Sequence, residues 1–504
     1  IHKVQSFTDG TNNLTGVGQF IHIADGNCDD DHLVYANKTI HNLDDGGPGE
    51  STFAPATSAP LEHHCQFVAS MAAGDGTGNG EGAGENIIVG VAPDADLVLS
   101  SAFQNLGSEW LDDLGDDLDS ARGYGAVASN NSWGMNDING WSTSYSNGGF
   151  NATEFQTVVS NNPTFSKAEL FGYLFEGGTG GQASGSVDSD ATTAVNDYIT
   201  ALDNFQNSGV VVFSSGNSNE ESDVGVMGAL PEWFPDLAEA WISVGLIDFT
   251  GDSIADAVES EFTLHGNKCG TAKEYCVVAD GFEVNGARYT DDTYSYYKEN
   301  DSGSSYSAPM ISGGIALLAQ AFPNHTPEQL TDRLLASSNN DWFSAEGTTT
   351  FTTHGNSVTH GYHSTWGQGI PDFYAAMSPI TSNRNPSGMA LYLGESIQAS
   401  KAIDLGSSFI TPSSSFGNAI SQGMIGKVGF AYDALSGGFK YDMSTRIDMT
   451  NNTAPTINLS SELSKLDSQL PVGHNSNWKQ NFSQVFSTLS KRDGLETTLT
   501  LGAS

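Results

Sequence analysis

The chain has few basic residues. It carries 18 Lys and Arg against 60 Asp and Glu in 504 residues, a formal net charge of −42. Nucleic acids and anionic membrane surfaces are bound through basic patches, so this composition argues against both kinds of partner. An acidic surface stays hydrated and soluble, which fits a protein secreted into salty or calcium-containing water. The charge does not select a reaction.

Long apolar segments are also absent. No apolar run reaches the length of a membrane-spanning helix, about 20 residues, so the sequence predicts no membrane span. No signal peptide is visible at Ile1, and we interpret the chain as a mature or trimmed form that lacks its export signal. Because 38% of the residues are hydrophobic, the many Gly, Ser, Asn and Thr residues indicate loops and turns rather than disorder.

Cysteine is scarce, with only Cys28, Cys65, Cys269 and Cys276. An even, low number in an acidic, extracellular chain is compatible with two disulfides. The seven-residue separation of Cys269 and Cys276 suits a small closed loop. Cys28 and Cys65 would then pair by elimination, which is a weaker inference.

The distribution of apolar segments predicts two regions. Strand-like and helix-like segments alternate up to about residue 320, which is typical of a mostly parallel sheet with helices on both faces. We therefore expect a doubly wound α/β domain over residues 1–380, with a Gly/Ser/Asn/Thr-rich insertion at about 135–190. Residues 381–504 are Ser/Thr/Asn-rich and predict a smaller β-rich C-terminal region of unknown role. This region is a candidate for self-association or surface attachment.

Four polar residues stand at the ends of predicted elements. Asp25 ends an apolar strand, His64 begins a helix, Asn217 follows a buried strand and Ser305 begins an apolar helix. Taken singly, they have ordinary interpretations as turn, cap or surface residues, and the stretch 303–309 as a Ser-rich loop before a core helix. Taken together, they match acyl transfer by serine, which needs a nucleophile, a base, an orienting acid and an oxyanion donor. The order Asp, His, Ser is that of one known convergent triad.

The motifs around these residues resemble those of the subtilisin-like serine peptidases, over about residues 15–378. Val68 and Ala69 fix the register of the histidine motif and select His64 over His63 as the base. Cys65, Gln66 and Phe67 depart from the family pattern. The matching stretches are, in chain order, 23–27, 64–70, 90–95, 130–134, 216–217 and 303–309.

The resemblance implies a subtilisin-like fold and a role for each matching residue. Ser305 is expected to be the nucleophile, His64 the base and Asp25 the acid that orients it. The side chain of Asn217 and the backbone N–H of Ser305 are expected to stabilise the oxyanion. A substrate strand is expected to pair with three consecutive residues: Ser132, Trp133 and Gly134.

The resemblance also implies polypeptide substrates and no cofactor for catalysis. Structural calcium is expected because members of the family commonly bind it. The sequence offers candidate ligands only in the acidic loop at 29–31, and the alternative interpretation of that stretch is a solvated loop without a metal ion. The stretches 268–279 and 366–372 resemble the autotransporter-type subtilases of Gram-negative bacteria, which implies a secreted or cell-surface protein. Cys65 beside the base and Cys28 near the acid suggest a disulfide that holds the two together.

Two other functions remain open on the sequence. A sedolisin-like acid peptidase has a similar serine motif and suits an acidic chain, but it uses Glu as the base and Asp at the oxyanion position, where this chain has His64 and Asn217. A surface adhesion or assembly protein on a peptidase fold is motivated by the insertion and by residues 381–504. The complete triad argues against adhesion as the whole function.

Overall fold

The structure is a computed structural model. It describes residues 2–7, 11–26, 28, 32–43, 64–76, 88–101, 109–135, 150–175, 188–218, 222–290, 293–353, 356–380 and 419–443. The acidic loop at 29–31 lies outside the described residues, as do most of the region 381–504 and parts of the insertion.

Helices and strands are numbered in chain order. The described helices are α1 (His2–Gln5), α2 (His64–Ala73), α3 (Glu109–Gly123), α4 (Ala152–Asn161), α5 (Lys167–Phe175), α6 (Ser189–Gln206), α7 (Ser304–Ala321), α8 (Pro327–Ser337), α9 (Phe373–Ala376) and α10 (Ala419–Met424). The described strands are β1 (Phe20–Asp25), β2 (Ile40–Asn42), β3 (Asp96–Ser101), β4 (Ala126–Asn131), β5 (Val210–Ser214), β6 (Trp241–Phe249), β7 (Phe262–Leu264), β8 (Cys276–Asp280), β9 (Val284–Thr290), β10 (Thr293–Asp301), β11 (Gly347–Thr353), β12 (Asn356–Tyr362), β13 (Val428–Tyr432) and β14 (Gly438–Asp442).

Within the described residues, eight strands form one sheet in the order β2-β3-β1-β4-β5-β6-β7, with β8 also paired to β6. The pairs are parallel except for the antiparallel pair of β6 and β7. Every residue of β5 is buried. Such a continuous apolar run is expected of a parallel strand that is covered on both faces. The predicted mostly parallel α/β sheet is confirmed.

Two cores lie on opposite faces of this sheet. Val210 and Val212 of β5 face the core that includes α2 and α7, whereas Val211 and Phe213 face the core that includes α3 and α6. This alternation follows from the two-residue period of a strand. Helix α7 is buried along almost its whole length. None of the described helices is long and apolar enough to cross a membrane.

The described part of the predicted insertion is helical. Helix α4 begins at a capping box in which Asn151 and Glu154 satisfy each other's backbone N–H groups. Phe155 of α4 packs against Phe171 of α5 and Trp233, with ring centroids 4.2 and 4.7 Å apart. Sequence reasoning treated this stretch as a loop-rich insertion, because its Gly- and Ser-rich flanks obscured two short apolar periodicities.

Part of the C-terminal region packs against the core of the large domain. The hairpin of β13 and β14 places Leu435 and Phe439 in the same apolar core as α7. Between the two strands, Asp433 forms a 2.6 Å ion pair with Arg333 of α8, and both side chains are fully buried. The hairpin therefore completes the core of the domain that precedes it, although it lies beyond the predicted boundary near residue 380.

The Arg333–Asp433 pair is embedded in further hydrogen bonds. Asp433 accepts backbone N–H groups from Ile380, Leu435 and Gly437 at 2.8 to 3.0 Å. The Arg333 guanidinium lies 4.3 Å from the ring centroid of Phe322. A buried charge that loses its partner cannot be solvated by water, so this pair ties the hairpin to α8.

Replacing Asp433 with Ala should therefore destabilise the protein strongly. Removing one partner of a buried ion pair costs about 3–5 kcal/mol, because the other charge stays buried and unpaired. The free energy of unfolding, from urea titration followed by circular dichroism, checks this expectation. Asp119→Ala is the matched control, since it removes an exposed pair with Arg122 and should change stability by about 0.5 kcal/mol or less. Equal effects of the two substitutions would contradict the role of the buried pair.

Candidate active site

The candidate site lies at the carboxyl ends of three neighbouring strands. Asp25 is the last residue of β1, Ser132 follows β4 directly, and Asn217 follows β5 after a short turn. Strands β1, β4 and β5 are adjacent and parallel. The carboxyl edge of a parallel sheet is where open α/β folds place their functional groups, so the fold itself brings these three residues together.

Asp25 and His64 form a hydrogen-bonded pair. His64 begins α2, and its Nδ1 lies 2.8 and 2.9 Å from the two carboxylate oxygens of Asp25. Asp25 is 2% exposed and also accepts the N–H of Gly26 at 2.7 Å. Because an ionised carboxylate can only accept, the proton of a neutral His64 ring lies on Nδ1. The opposite nitrogen, Nε2, then has the lone pair that a base needs.

A disulfide joins the chain segments that carry this pair. Cys28 lies three residues after Asp25 and Cys65 directly follows His64, and the two cysteines are bonded with their Cα atoms 5.1 Å apart. Both are buried, at 0% and 1% exposure. The pairing that the sequence suggested is present in the structure. The second expected disulfide, Cys269–Cys276, is present as well.

Ser305 is the second residue of α7 and is 8% exposed. Its Oγ donates to the carbonyl oxygen of Ser132 at 3.1 Å. Pro309 has no N–H and cannot bond to the Ser305 carbonyl four residues earlier, and the hydroxyl of Ser132 donates to that carbonyl instead, at 2.8 Å. Asn130 donates to the same hydroxyl at 2.9 Å. These bonds fasten the start of α7 to the end of β4.

Asn217 is held against the nucleophile turn by its side-chain oxygen. The backbone N–H of Ser304 donates to Asn217 Oδ1 at 2.8 Å, and the Ser304 hydroxyl does so at 2.9 Å. Because a backbone N–H can only donate, the oxygen of the amide faces Ser304 and Nδ2 faces away. Nδ2 makes no hydrogen bond to any residue that the structure describes, so an amide donor is left available beside Ser305. Sequence reasoning missed the role of Ser304.

Tyr306 and Ser307 carry hydroxyls for structural reasons. The Tyr306 hydroxyl donates to Asp301 at 2.6 Å, and its ring lies 4.0 Å from that of Phe67 and 5.7 Å from that of His64. The hydroxyl of Ser307 donates to the carbonyl of Ala279 at 2.9 Å. Tyr306 therefore packs between the start of α7 and helix α2, which begins with His64, and Ser307 ties α7 to β8.

The predicted substrate-binding stretch follows β4. The ring of Trp133 is buried against Phe213 in an edge-to-face contact of 5.2 Å. Gly134 is exposed, and a Cβ added there would meet no atom within 4 Å. Trp133 thus anchors the segment in the core while the backbone at Gly134 faces open space. Pairing with a substrate stays a prediction.

The predicted calcium site has no counterpart among the described residues. In those ranges, no group of three or more His, Cys, Asp or Glu side chains is arranged to hold a metal ion. The acidic loop at 29–31, where the sequence favoured calcium, lies outside them. Structural calcium therefore stays a prediction.

The match to a known family covers this whole arrangement. The model of the subtilase family matches residues 16–362, a range that includes Asp25, His64, Asn217 and Ser305. The chain belongs to the subtilase family.

Two curated relatives of this subtilase come from Gram-negative bacteria. Serotype-specific antigen 1 of Mannheimia haemolytica is 31% identical over 128 residues, which are 25% of this chain and 13% of that protein. The extracellular serine protease of Serratia marcescens is 26% identical over 139 residues, which are 24% of this chain and 12% of that protein. The matched segments are thus only about an eighth of each relative's length.

Solved structures of proteases are also similar to this subtilase. The protease domain of PatA, as an S218A mutant, is 18% identical with a TM-score of 0.42, and the match covers 72% of this chain and 95% of that one. Fervidolysin from Fervidobacterium pennivorans, a keratinolytic enzyme related to subtilisin, is 17% identical with a TM-score of 0.43, and covers 72% of this chain and 43% of that one.

Removing the Cys28–Cys65 disulfide of this subtilase should loosen the Asp25–His64 pair. In the Cys28→Ala/Cys65→Ala double variant we expect a loss of about 2–4 kcal/mol in stability. We also expect the low-field ¹H NMR signal of the His64 Nδ1 proton to broaden or disappear. His64→Ala identifies that signal.

The Cys269→Ala/Cys276→Ala variant is the matched control for this experiment. It also loses one disulfide, but that disulfide lies away from Asp25 and His64, so the low-field signal should persist. An unchanged signal in the variant that lacks Cys28 and Cys65 would show that the disulfide does not hold the pair.

Proposed function

We propose that this subtilase is a secreted serine endopeptidase that hydrolyses peptide bonds through an acyl-enzyme. The observation that carries the proposal is the hydrogen bond from His64 Nδ1 to a buried Asp25, at 2.8 Å. A histidine oriented in this way is the general base that a serine nucleophile requires. Ser305 begins the buried helix α7 at the same edge of the sheet.

The proposed reaction has two halves. Ser305 Oγ attacks the carbonyl carbon of the scissile bond while His64 Nε2 takes its proton. The tetrahedral intermediate collapses when His64 returns that proton to the leaving amine, which leaves an ester on Ser305. Water then attacks the ester while His64 Nε2 takes its proton, and His64 returns that proton to Ser305 Oγ as the ester bond breaks, which releases the acid product and restores the serine. Asp25 keeps the imidazole in the right tautomer and stabilises its protonated form.

Two donors support the oxyanion in this proposal. Asn217 Nδ2 has no other partner among the described residues, and the backbone N–H of Ser305 lies in the first turn of α7, where N–H groups have no intrahelical acceptor. The positive end of the helix dipole adds to the attraction of negative charge. Preformed donors of this kind need not reorganise during the reaction, which is why they stabilise its transition state.

The proposed substrates are polypeptides that pair with the backbone at 132–134 as an added strand. Secretion is supported by two disulfides, which persist in oxidising compartments, and by relatives from Gram-negative bacteria, one of them named as extracellular. We keep structural calcium in the proposal, and we assign self-association or surface attachment to the part of 381–504 outside the docked hairpin.

The geometry favours this function over the two alternatives. A sedolisin-like mechanism needs a glutamate base, whereas the side chain bonded to Asp25 is His64. An inert adhesion protein has no need for an oriented histidine or for an available amide donor. The Asp25–His64 contact and the position of Asn217 therefore support catalysis with a histidine base and an asparagine oxyanion donor.

Replacing Ser305 with Ala should lower peptidase turnover by about 10⁴-fold or more, because no other hydroxyl is in place to form the ester. Cleavage of a fluorogenic peptide library measures the loss, and a fluorophosphonate probe should label the wild type but not this variant. Ser302→Ala is the matched control, since its hydroxyl accepts the N–H of Glu283, and it should keep its activity. Wild-type turnover in Ser305→Ala would refute the proposal.

The dependence of activity on pH should report a histidine base. We expect kcat/KM to rise between about pH 5 and 8, the range in which histidines titrate, because only the neutral imidazole accepts the serine proton. The measurement is initial rates on one peptide across that range. An optimum at strongly acidic pH would point to a carboxylate base and to the sedolisin-like alternative.

A further inference from the structure

Asn267, in the segment after β7, is 1% exposed and uses every polar group to hold one neighbouring segment. Its Oδ1 accepts the N–H of Ser218 at 2.8 Å, and its Nδ2 donates to the carbonyl of Asp223 at 2.6 Å. Its backbone N–H donates to the carbonyl of Gly216 at 3.0 Å. Its own carbonyl accepts the hydroxyl of Ser215 at 3.2 Å.

These contacts bracket Asn217, which donates to the oxyanion in the proposed function. Asn267 binds the residue before Asn217 through Gly216 O and the residue after it through Ser218 N. Gly216 has a φ of +107°, and a Cβ there would lie 3.0 Å from the Asn267 amide. Glycine is needed at 216 both for that conformation and for the close approach of Asn267.

Asp223, whose carbonyl accepts the Asn267 side chain, is itself held by several hydrogen bonds. The carboxylate of Asp223 accepts the hydroxyls of Thr153 and Thr271 at 2.7 and 2.6 Å. It also accepts the N–H groups of Thr271 and Val224 at 2.8 and 2.9 Å. Asp223 thus joins the start of α4, the Cys269–Cys276 loop and the chain after β5 into one rigid support.

We propose that Asn267 is a positioning residue for the oxyanion hole. This role rests on the proposed peptidase function. Asn267 fixes the backbone on both sides of Asn217, and Ser304 fixes its side-chain oxygen from the other side, so that Nδ2 points towards the carbonyl oxygen of the substrate. Only an amide meets both needs, because it accepts from Ser218 and donates to Asp223 with one side chain. An aspartate keeps the first bond, but in place of the second it sets a carboxylate oxygen against the carbonyl oxygen of Asp223.

A double-mutant cycle between Asn267 and Asn217 tests this role. Asn267→Ala should lower kcat by about 10–100-fold, the effect of a small misplacement of a catalytic group, with KM changed by about twofold or less because ground-state binding is kept. Asn267→Asp should also lower kcat, because it replaces the donor to Asp223 with an acceptor. In the Asn217→Ala background, Asn267→Ala should cost almost nothing more, since it acts through the amide already removed.

Two further measurements separate positioning from general destabilisation. Gln206→Ala removes another buried amide that donates to a backbone carbonyl, that of Leu237 at 2.7 Å, and should leave kcat unchanged. Hydrogen exchange followed by mass spectrometry should show faster exchange at 216–218 in both Asn267 variants. Because Asn267→Asp leaves no cavity and retains the bond to Ser218, it supplies a second variant if the alanine variant does not fold.

The outcomes distinguish this inference from the proposed function. If the wild type shows no turnover that depends on Ser305, the proposed function fails, and the positioning role fails with it. If the wild type is active and Asn217→Ala slows it, the inference alone fails in either of two cases. One is that both Asn267 variants keep the wild-type kcat. The other is that the losses of Asn267→Ala and Asn217→Ala multiply in the double variant.

Discussion

The rest of the site depends on the junction between the end of β4 and the start of α7. Pro309 leaves the carbonyl of Ser305 without a helical donor, and the hydroxyl of Ser132 supplies one at 2.8 Å while its carbonyl accepts Ser305 Oγ. This reciprocal pair fixes where Ser305, the proposed nucleophile, lies relative to the carboxyl edge of the sheet. The helix behind it is buried along nearly its whole length, so the junction cannot shift without disturbing the core.

Around that junction, the structure supports each functional group by a different physical means. His64, the proposed base, is held by a buried carboxylate and by a disulfide that spans the two segments carrying the pair. Asn217 is held by hydrogen bonds, from Ser304 to its side chain and from Asn267 to Gly216 and Ser218 on either side of it. Hydrogen bonds suffice there because the residues that make them, Ser304 and Asn267, are themselves buried. Rigid support of this kind is what electrostatic stabilisation of a transition state requires.

The sequence was enough to predict the fold class, and it singled out residues that the structure places at the carboxyl edge of the sheet, whose catalytic roles stay a prediction. Continuous apolar strands such as 210–214 indicate a covered parallel sheet, and residues at strand ends meet because parallel strands share one edge. The roles of Ser304 and Asn267 could not be predicted, because they depend on contacts between segments about 50–90 residues apart that follow no sequence period. The same holds for Arg333 and Asp433, whose pairing places a hairpin beyond residue 380 in the main core.

The central claim is that Ser305 becomes covalently acylated during turnover. The most direct measurement is mixing the enzyme with a slowly hydrolysed peptide ester, quenching within the first turnover, and mapping the adduct by peptide mass spectrometry. The account predicts a burst of about one equivalent of alcohol and an added acyl mass on Ser305. An acyl group on a different residue, or turnover with neither a burst nor an adduct when deacylation is slowed, would contradict it.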